Sequence, residues 1–98
     1  MARIELAPDV AEDFERILDH LERFEAVDLP GRVEEIVQAI SVLAHNPQIG
    51  RPAKGENREL VIGRQSHGYV ALYRYIEELD LVFVLAVKSQ REAGYGRE

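Results

Sequence analysis

The chain contains no cysteine, no tryptophan and a single methionine, Met1. Without thiols, disulfide staples and thiolate-held metals are both excluded, and a reducing interior is permitted. Positive charge is in the minority, with 12 Lys and Arg against 18 Asp and Glu and a net charge of −6. That balance works against a surface built to grip nucleic acid phosphates, so no direct nucleic acid binding is expected. Long hydrophobic runs are missing too. The longest, Leu81 to Val87, falls far short of the roughly 20 apolar residues that span a bilayer. The opening MARIELAPD lacks the basic and then apolar layout of an export signal, so a cytoplasmic protein with no membrane partner is expected. His20, His45 and His67 are isolated and share no i, i+4 spacing, which leaves no expectation of a metal or other cofactor.

What is present fits one soluble domain spanning residues 1–98, with 46% hydrophobic and 31% charged content. The charge is unevenly spread. Residues 1–50 hold four Arg and 11 Asp or Glu, a net −7, whereas residues 51–98 hold eight Arg or Lys and seven Asp or Glu, a net +1. The acid therefore belongs to solvated helix faces, because the first half is where helical periodicity runs.

Arg3 to Leu6 alternates as a short strand and ends at Ala7-Pro8-Asp9. Asp9, Glu12 and Asp13 then place negative charge where a helix N-terminus favours it. Val10, Phe14, Ile17, Leu18, Leu21 and Phe24 form one apolar stripe, and Val33, Ile36, Val37, Ile40 and Leu43 form a second after the break at Asp28-Leu29-Pro30-Gly31. Two amphipathic helices in an antiparallel hairpin follow from that spacing. Asn46-Pro47 stops the second helix, and Gln48 to Asn57 reads as a loop. Three strands follow: Arg58 to Gly63, Gly68-Tyr69 to Ile76, and Leu81 to Val87, with Lys88 where the last reaches water. The fold class is α+β with the order βααβββ, a mostly antiparallel sheet with the helical hairpin packed on one face and the other face left as a groove.

The segment RELVIGRQSHGYVALYRYIEELDLVFVLAVKSQREAGY, from Arg58 to Tyr95, resembles the RelE/ParE family of small bacterial toxins. An Arg-Glu-Leu strand, a Gly-Tyr-x-x-x-Tyr-Arg strand and a last strand ending in basic residues carry the likeness, and the turn Asn46-Pro47-x-x-Gly50-Arg51-Pro52 extends it towards Ile4. Members that cleave mRNA on the ribosome use lysines, arginines and a C-terminal tyrosine. Tyr95 matches that tyrosine, but Val70 and Ser89 stand where such members have arginines, and Lys54 alone represents their lysine pair. The resemblance therefore implies a ParE-like toxin of a type II toxin–antitoxin system, which inhibits DNA gyrase without catalytic residues and is neutralised by a cognate antitoxin. Two alternatives stay open: a ribosome-dependent mRNA endoribonuclease using Lys54, Arg91 and Tyr95, and a non-toxic member that only binds an antitoxin.

Arg58, Tyr73, Arg74, Lys88, Arg91 and Tyr95 are the candidate partner-binding residues, because they place cations beside aromatic rings. Arg64, Tyr69 and Tyr75 belong to the same stretch. Tyrosines at strand spacing also fit core packing, and Arg74 also fits an ion pair with a helix carboxylate. Tyr95 lies between Gly94 and Gly96, which reads as a frayed tail with little bearing on the core. A homodimer is compatible with the sequence.

Overall fold

The computed structural model describes residues 1–24, 28–63, 68–92 and 94–95, with Phe24 described through its backbone alone. Strand β1 (Arg3–Leu6) leads into helix α1 (Val10–Phe24), and helix α2 (Leu29–Ser41) runs on into a 3₁₀ turn at Val42–Ala44. The sheet is completed by β2 (Arg51–Pro52), β3 (Arg58–Ile62), β4 (Tyr69–Ile76) and β5 (Leu81–Ser89). Asp28 caps α2 in extended conformation with Pro30 in its first turn, where the missing donor is not needed. Between β4 and β5, Asp80 takes the left-handed conformation at φ 48°, and its carboxylate accepts a 2.7 Å bond from the Tyr75 hydroxyl. Among the described residues no helix is long and apolar enough to cross a membrane.

The strand order is β1-β5-β4-β3-β2. β1 lies parallel to β5, and every other pair is antiparallel. The start of the chain is thus clamped against its last strand. Val10, Ile17 and Leu21 of α1, Ile36 and Ile40 of α2, and Leu43 meet Ala71, Tyr73, Val82, Val84 and Val87 in one core. The α+β class and the hairpin on one sheet face are as expected.

Two local features differ from expectation. The segment Gln48 to Asn57 is not wholly loop, because Arg51 and Pro52 pair with Glu59 and Arg58 as a two-residue edge strand. A proline at a sheet edge gives no periodic apolar signal and needs no ladder donor. In β5 the register passes from Leu72↔Ala86 to Tyr73↔Val84, which leaves Leu85 as an extra residue. This bulge reverses the alternation. Val82 and Val84 before it and Val87 after it therefore all face the helices, which is why the strand reads as apolar on both sides.

Candidate functional site

Strand register sorts the candidate residues between two faces, since directly opposed residues share a side. Arg58 is opposite Tyr73, and both face the helices. Tyr73 is fully buried, and its hydroxyl accepts the Gly50 N–H at 2.9 Å. Burial is the chief reason its phenol is pushed above the ordinary range. Arg58 Nη1 donates to the carbonyls of Gln48 at 3.2 Å and Gly50 at 2.8 Å. The two residues together pin the turn after α2 onto the sheet. Gly50 is required there, because a Cβ would meet the Tyr73 ring and hydroxyl at 2.7 Å and the Glu59 carbonyl at 2.8 Å. Tyr69 is likewise buried in the core. Arg64 and His67 lie outside the described residues.

Arg74, Lys88 and Tyr95 belong to the open face. Its rows are Phe83 beside Arg74, Ala86 beside Leu72 beside Glu59, and Lys88 beside Val70 beside Val61. Arg74 Nη2 bonds Glu56 at 2.7 Å, so its partner is a loop carboxylate rather than one on a helix. Both ends of that pair are exposed, at 44% and 83% of side-chain area, which makes it weak. Arg91 is exposed beyond β5, and its N–H donates to Ser89 Oγ at 3.2 Å.

Tyr95 overturns the expectation of a frayed tail. It is half-buried, donates its hydroxyl to Glu59 Oε2 at 2.7 Å and sits with its ring centroid 5.5 Å from Lys88 Nζ. Arg51 Nε donates to the other oxygen of Glu59 at 3.0 Å. The Tyr95 bond, followed by that of Arg51, holds the Glu59 carboxyl below its usual range. Burial, followed by the bond to Glu59, drives the Tyr95 phenol far above its own. The two glycines concealed this at the level of sequence, because the side chain is held by a polar partner on β3 rather than by apolar packing.

The segment after β5 is anchored at a second point. Glu92 accepts from Arg16 Nε at 2.8 Å and from the Ser89 N–H at 2.8 Å, while Lys88 Nζ donates to its backbone carbonyl at 3.0 Å. Arg16 also bonds Asp13 Oδ1 at 2.9 Å and the Val87 carbonyl at 3.1 Å. The fully buried Asp13 accepts the Val87 N–H at 3.0 Å. β1 pairs with β5 only from Leu81 to Val84. Beyond that point, side chains of α1 and Glu92 take the place of a neighbouring strand. Desolvation opposes it, but the bonds to Asp13 and Glu92 raise the pKa of Arg16 further.

Sequence reasoning credited Asp13 only to the helix dipole and passed over Arg16, Glu59 and Glu92. One signal was available for Asp13. It lies three residues after Val10 and four before Ile17, within the apolar stripe, where a carboxylate needs a partner. Among the described residues no group of three or more His, Cys, Asp or Glu side chains is placed to share a metal ion. Chemically, the open face offers an apolar floor, an exposed cation at Arg74, and a cluster of donors that is already occupied by Glu59.

Residues 4–94 match the family model described as the ParE toxin of the type II toxin–antitoxin system parDE. The chain belongs to the ParE toxin family. No curated protein sequence matches this ParE-family chain significantly. Solved structures share its fold. In the chromosomal ParDE toxin–antitoxin system of P. aeruginosa, the matching chain is 20% identical with a TM-score of 0.71, over 91% of this chain and 96% of that one. The intact E. coli RelBE toxin–antitoxin complex gives 15% identity and a TM-score of 0.65 over 94% and 100%. The isolated E. coli RelE toxin gives 16% and 0.62 over 95% and 89%. The protein is thus a ParE-type toxin of a type II toxin–antitoxin system.

Proposed function

We propose that this ParE-family toxin acts in the cytoplasm by binding DNA gyrase, performs no covalent chemistry of its own, and is neutralised by a cognate antitoxin protein. The observation that carries the proposal is the state of Tyr95. Metal-free RNA cleavage needs a group to take the 2′-hydroxyl proton, a group to protonate the leaving oxygen, and positive charge fixed on the phosphate. Here the hydroxyl of the matching tyrosine is bonded to a carboxylate at 2.7 Å. In the rows that hold Glu59 and Lys88, the open-face positions on β3 and β4 are Glu59, Leu72, Val61 and Val70. A phosphate brought to this end would meet an anion and apolar side chains, and Arg51 and Lys88 are already engaged. Lys54, required by the nuclease alternative, is exposed in the turn after β2. These features favour a face that meets protein over one that holds RNA.

The same face suits an antitoxin segment. Leu72, Ile76, Phe83 and Val61 would receive apolar side chains, and Arg74 can exchange the exposed Glu56 for a carboxylate of the partner. Tyr73 and Arg58 contribute from beneath, by fixing the turn at Gly50. Induced expression in a bacterial host tests the reading. Filamentation and a DNA damage response, reversed by co-expression of the cognate antitoxin, are expected. An immediate halt in protein synthesis before any filamentation would count for the nuclease alternative, and unimpeded growth for the non-toxic one.

A further inference from the structure

Two donors on the open face converge on one carboxylate, with a third cation beside them. Arg51 Nε lies 3.0 Å from Glu59 Oε1, and the Tyr95 hydroxyl lies 2.7 Å from Oε2. Lys88 Nζ lies 5.5 Å from the Tyr95 ring centroid, donates to the Glu92 carbonyl, and adds its charge to the field at Glu59. A guanidinium, an ammonium and a phenolic O–H gathered around oxygen anions form a donor set suited to a phosphate. In this chain the set is filled by a side chain of β3 that is only 20% exposed. An incoming phosphate would have to displace a tethered anion, and the rest of a chain of net charge −6 would repel it.

We propose that Glu59 determines which class of molecule the open face accepts: as an internal anion it closes the Arg51, Lys88 and Tyr95 cradle to RNA phosphates and leaves the face to protein partners. The inference rests on the reading of this face as a protein-binding surface, and it names the residue responsible. A different role, in which Glu59 merely anchors the C-terminal segment, carries the opposite expectation. Replacing it would then loosen Tyr95 without creating any affinity for anions.

The test uses the full chain and a fluorescein-labelled single-stranded RNA, read by anisotropy at low salt. Glu59→Gln keeps an acceptor for Tyr95 and removes the charge, while Glu59→Lys reverses it. The wild type is expected to bind only weakly, Glu59→Gln to gain roughly fivefold or more over it, and Glu59→Lys to gain roughly thirtyfold with a steeper salt dependence. Adding Arg51→Ala to Glu59→Lys should abolish most of the gain. Glu22→Gln is the control for net charge, since it removes one negative charge at an exposed position of α1, on the helical side of the sheet; it should behave as wild type. The proposal is overturned if both Glu59 variants stay folded by circular dichroism and bind no better than wild type. It is equally overturned if Glu22→Gln gains as much as Glu59→Gln, or if the wild type binds RNA as tightly as Glu59→Gln. Neither gyrase nor the ribosome enters this measurement, so a wrong target and a wrong role for Glu59 give separate failures.

Discussion

Asp13→Ala removes a carboxylate with no exposed surface that two donors rely on. The Val87 N–H loses its 3.0 Å acceptor, and Arg16 Nη1 loses its 2.9 Å acceptor. An orphaned buried donor costs about 1–3 kcal/mol, and breaking a buried ion pair from one side about 3–5 kcal/mol. The second figure must be reduced here. Arg16 is 36% exposed and keeps Glu92 and the Val87 carbonyl, so water and those partners absorb part of the loss. A net destabilisation of roughly 2–4 kcal/mol is expected, a large share of the roughly 5–15 kcal/mol available to a domain of this size. The melting temperature should then fall by about 10–25 °C. Urea unfolding followed by circular dichroism gives the free energy, and amide exchange at Val87 localises it. Asp13→Asn, which retains an acceptor oxygen, should cost roughly half as much. If Asp13→Ala melts within about 3 °C of wild type and Val87 stays protected, the side-chain closure of the β5 edge contributes nothing, and the reasoning fails.

Tyr73→Phe leaves the Gly50 N–H without its acceptor and should cost about 1–3 kcal/mol in urea unfolding; a neutral result would mean that water replaces the hydroxyl. A stop after Gln90 removes the carboxylate of Glu92 and the hydroxyl of Tyr95 from their bonds. It should lower the melting temperature by roughly 10 °C, not the few degrees a loose tail would cost. The Glu59–Tyr95 bond also sets a pH window. Glu59 is held below the ordinary carboxyl value of 4.5, so its contribution is complete above that pH and is lost as pH falls through the lower folded value. Tyr95 is held above the ordinary phenol value of 10.0, so its contribution is complete below that pH and is lost as pH rises towards the higher folded value. The stability difference between wild type and Tyr95→Phe should therefore be flat across neutral pH and shrink at both extremes; a step near pH 7 would contradict it. Arg74→Glu should weaken the antitoxin complex by roughly 1–3 kcal/mol in titration calorimetry, and unchanged affinity would move the interface off this face.

Elements with strong periodicity were legible from the sequence, as in the stripe Val10, Ile17, Leu21 and the alternation Tyr69, Ala71, Tyr73, all of which are buried. Features that depend on register were not. Arg58 and Arg74 look equivalent as cations beside tyrosines. They fall on opposite faces because Arg58 is opposite Tyr73, one residue away from Arg74, and strand periodicity alone does not fix that pairing. The bulge at Leu85 and the two-residue β2 leave no periodic trace either. Polar anchoring was the least visible. Arg16 and Glu92 are 76 residues apart in sequence, and Tyr95 and Glu59 are 36 apart. Each of the four alone resembles an ordinary surface residue.

The proposed activity is inhibition of gyrase without cleavage of RNA. The most direct measurement places the same purified protein, at micromolar concentration, in a gyrase supercoiling reaction and in a translating ribosome reaction whose mRNA is mapped by primer extension. Loss of supercoiling with intact mRNA is the expected result. Ribosome-dependent mRNA cleavage that disappears in Tyr95→Phe, with supercoiling unaffected, would contradict the account.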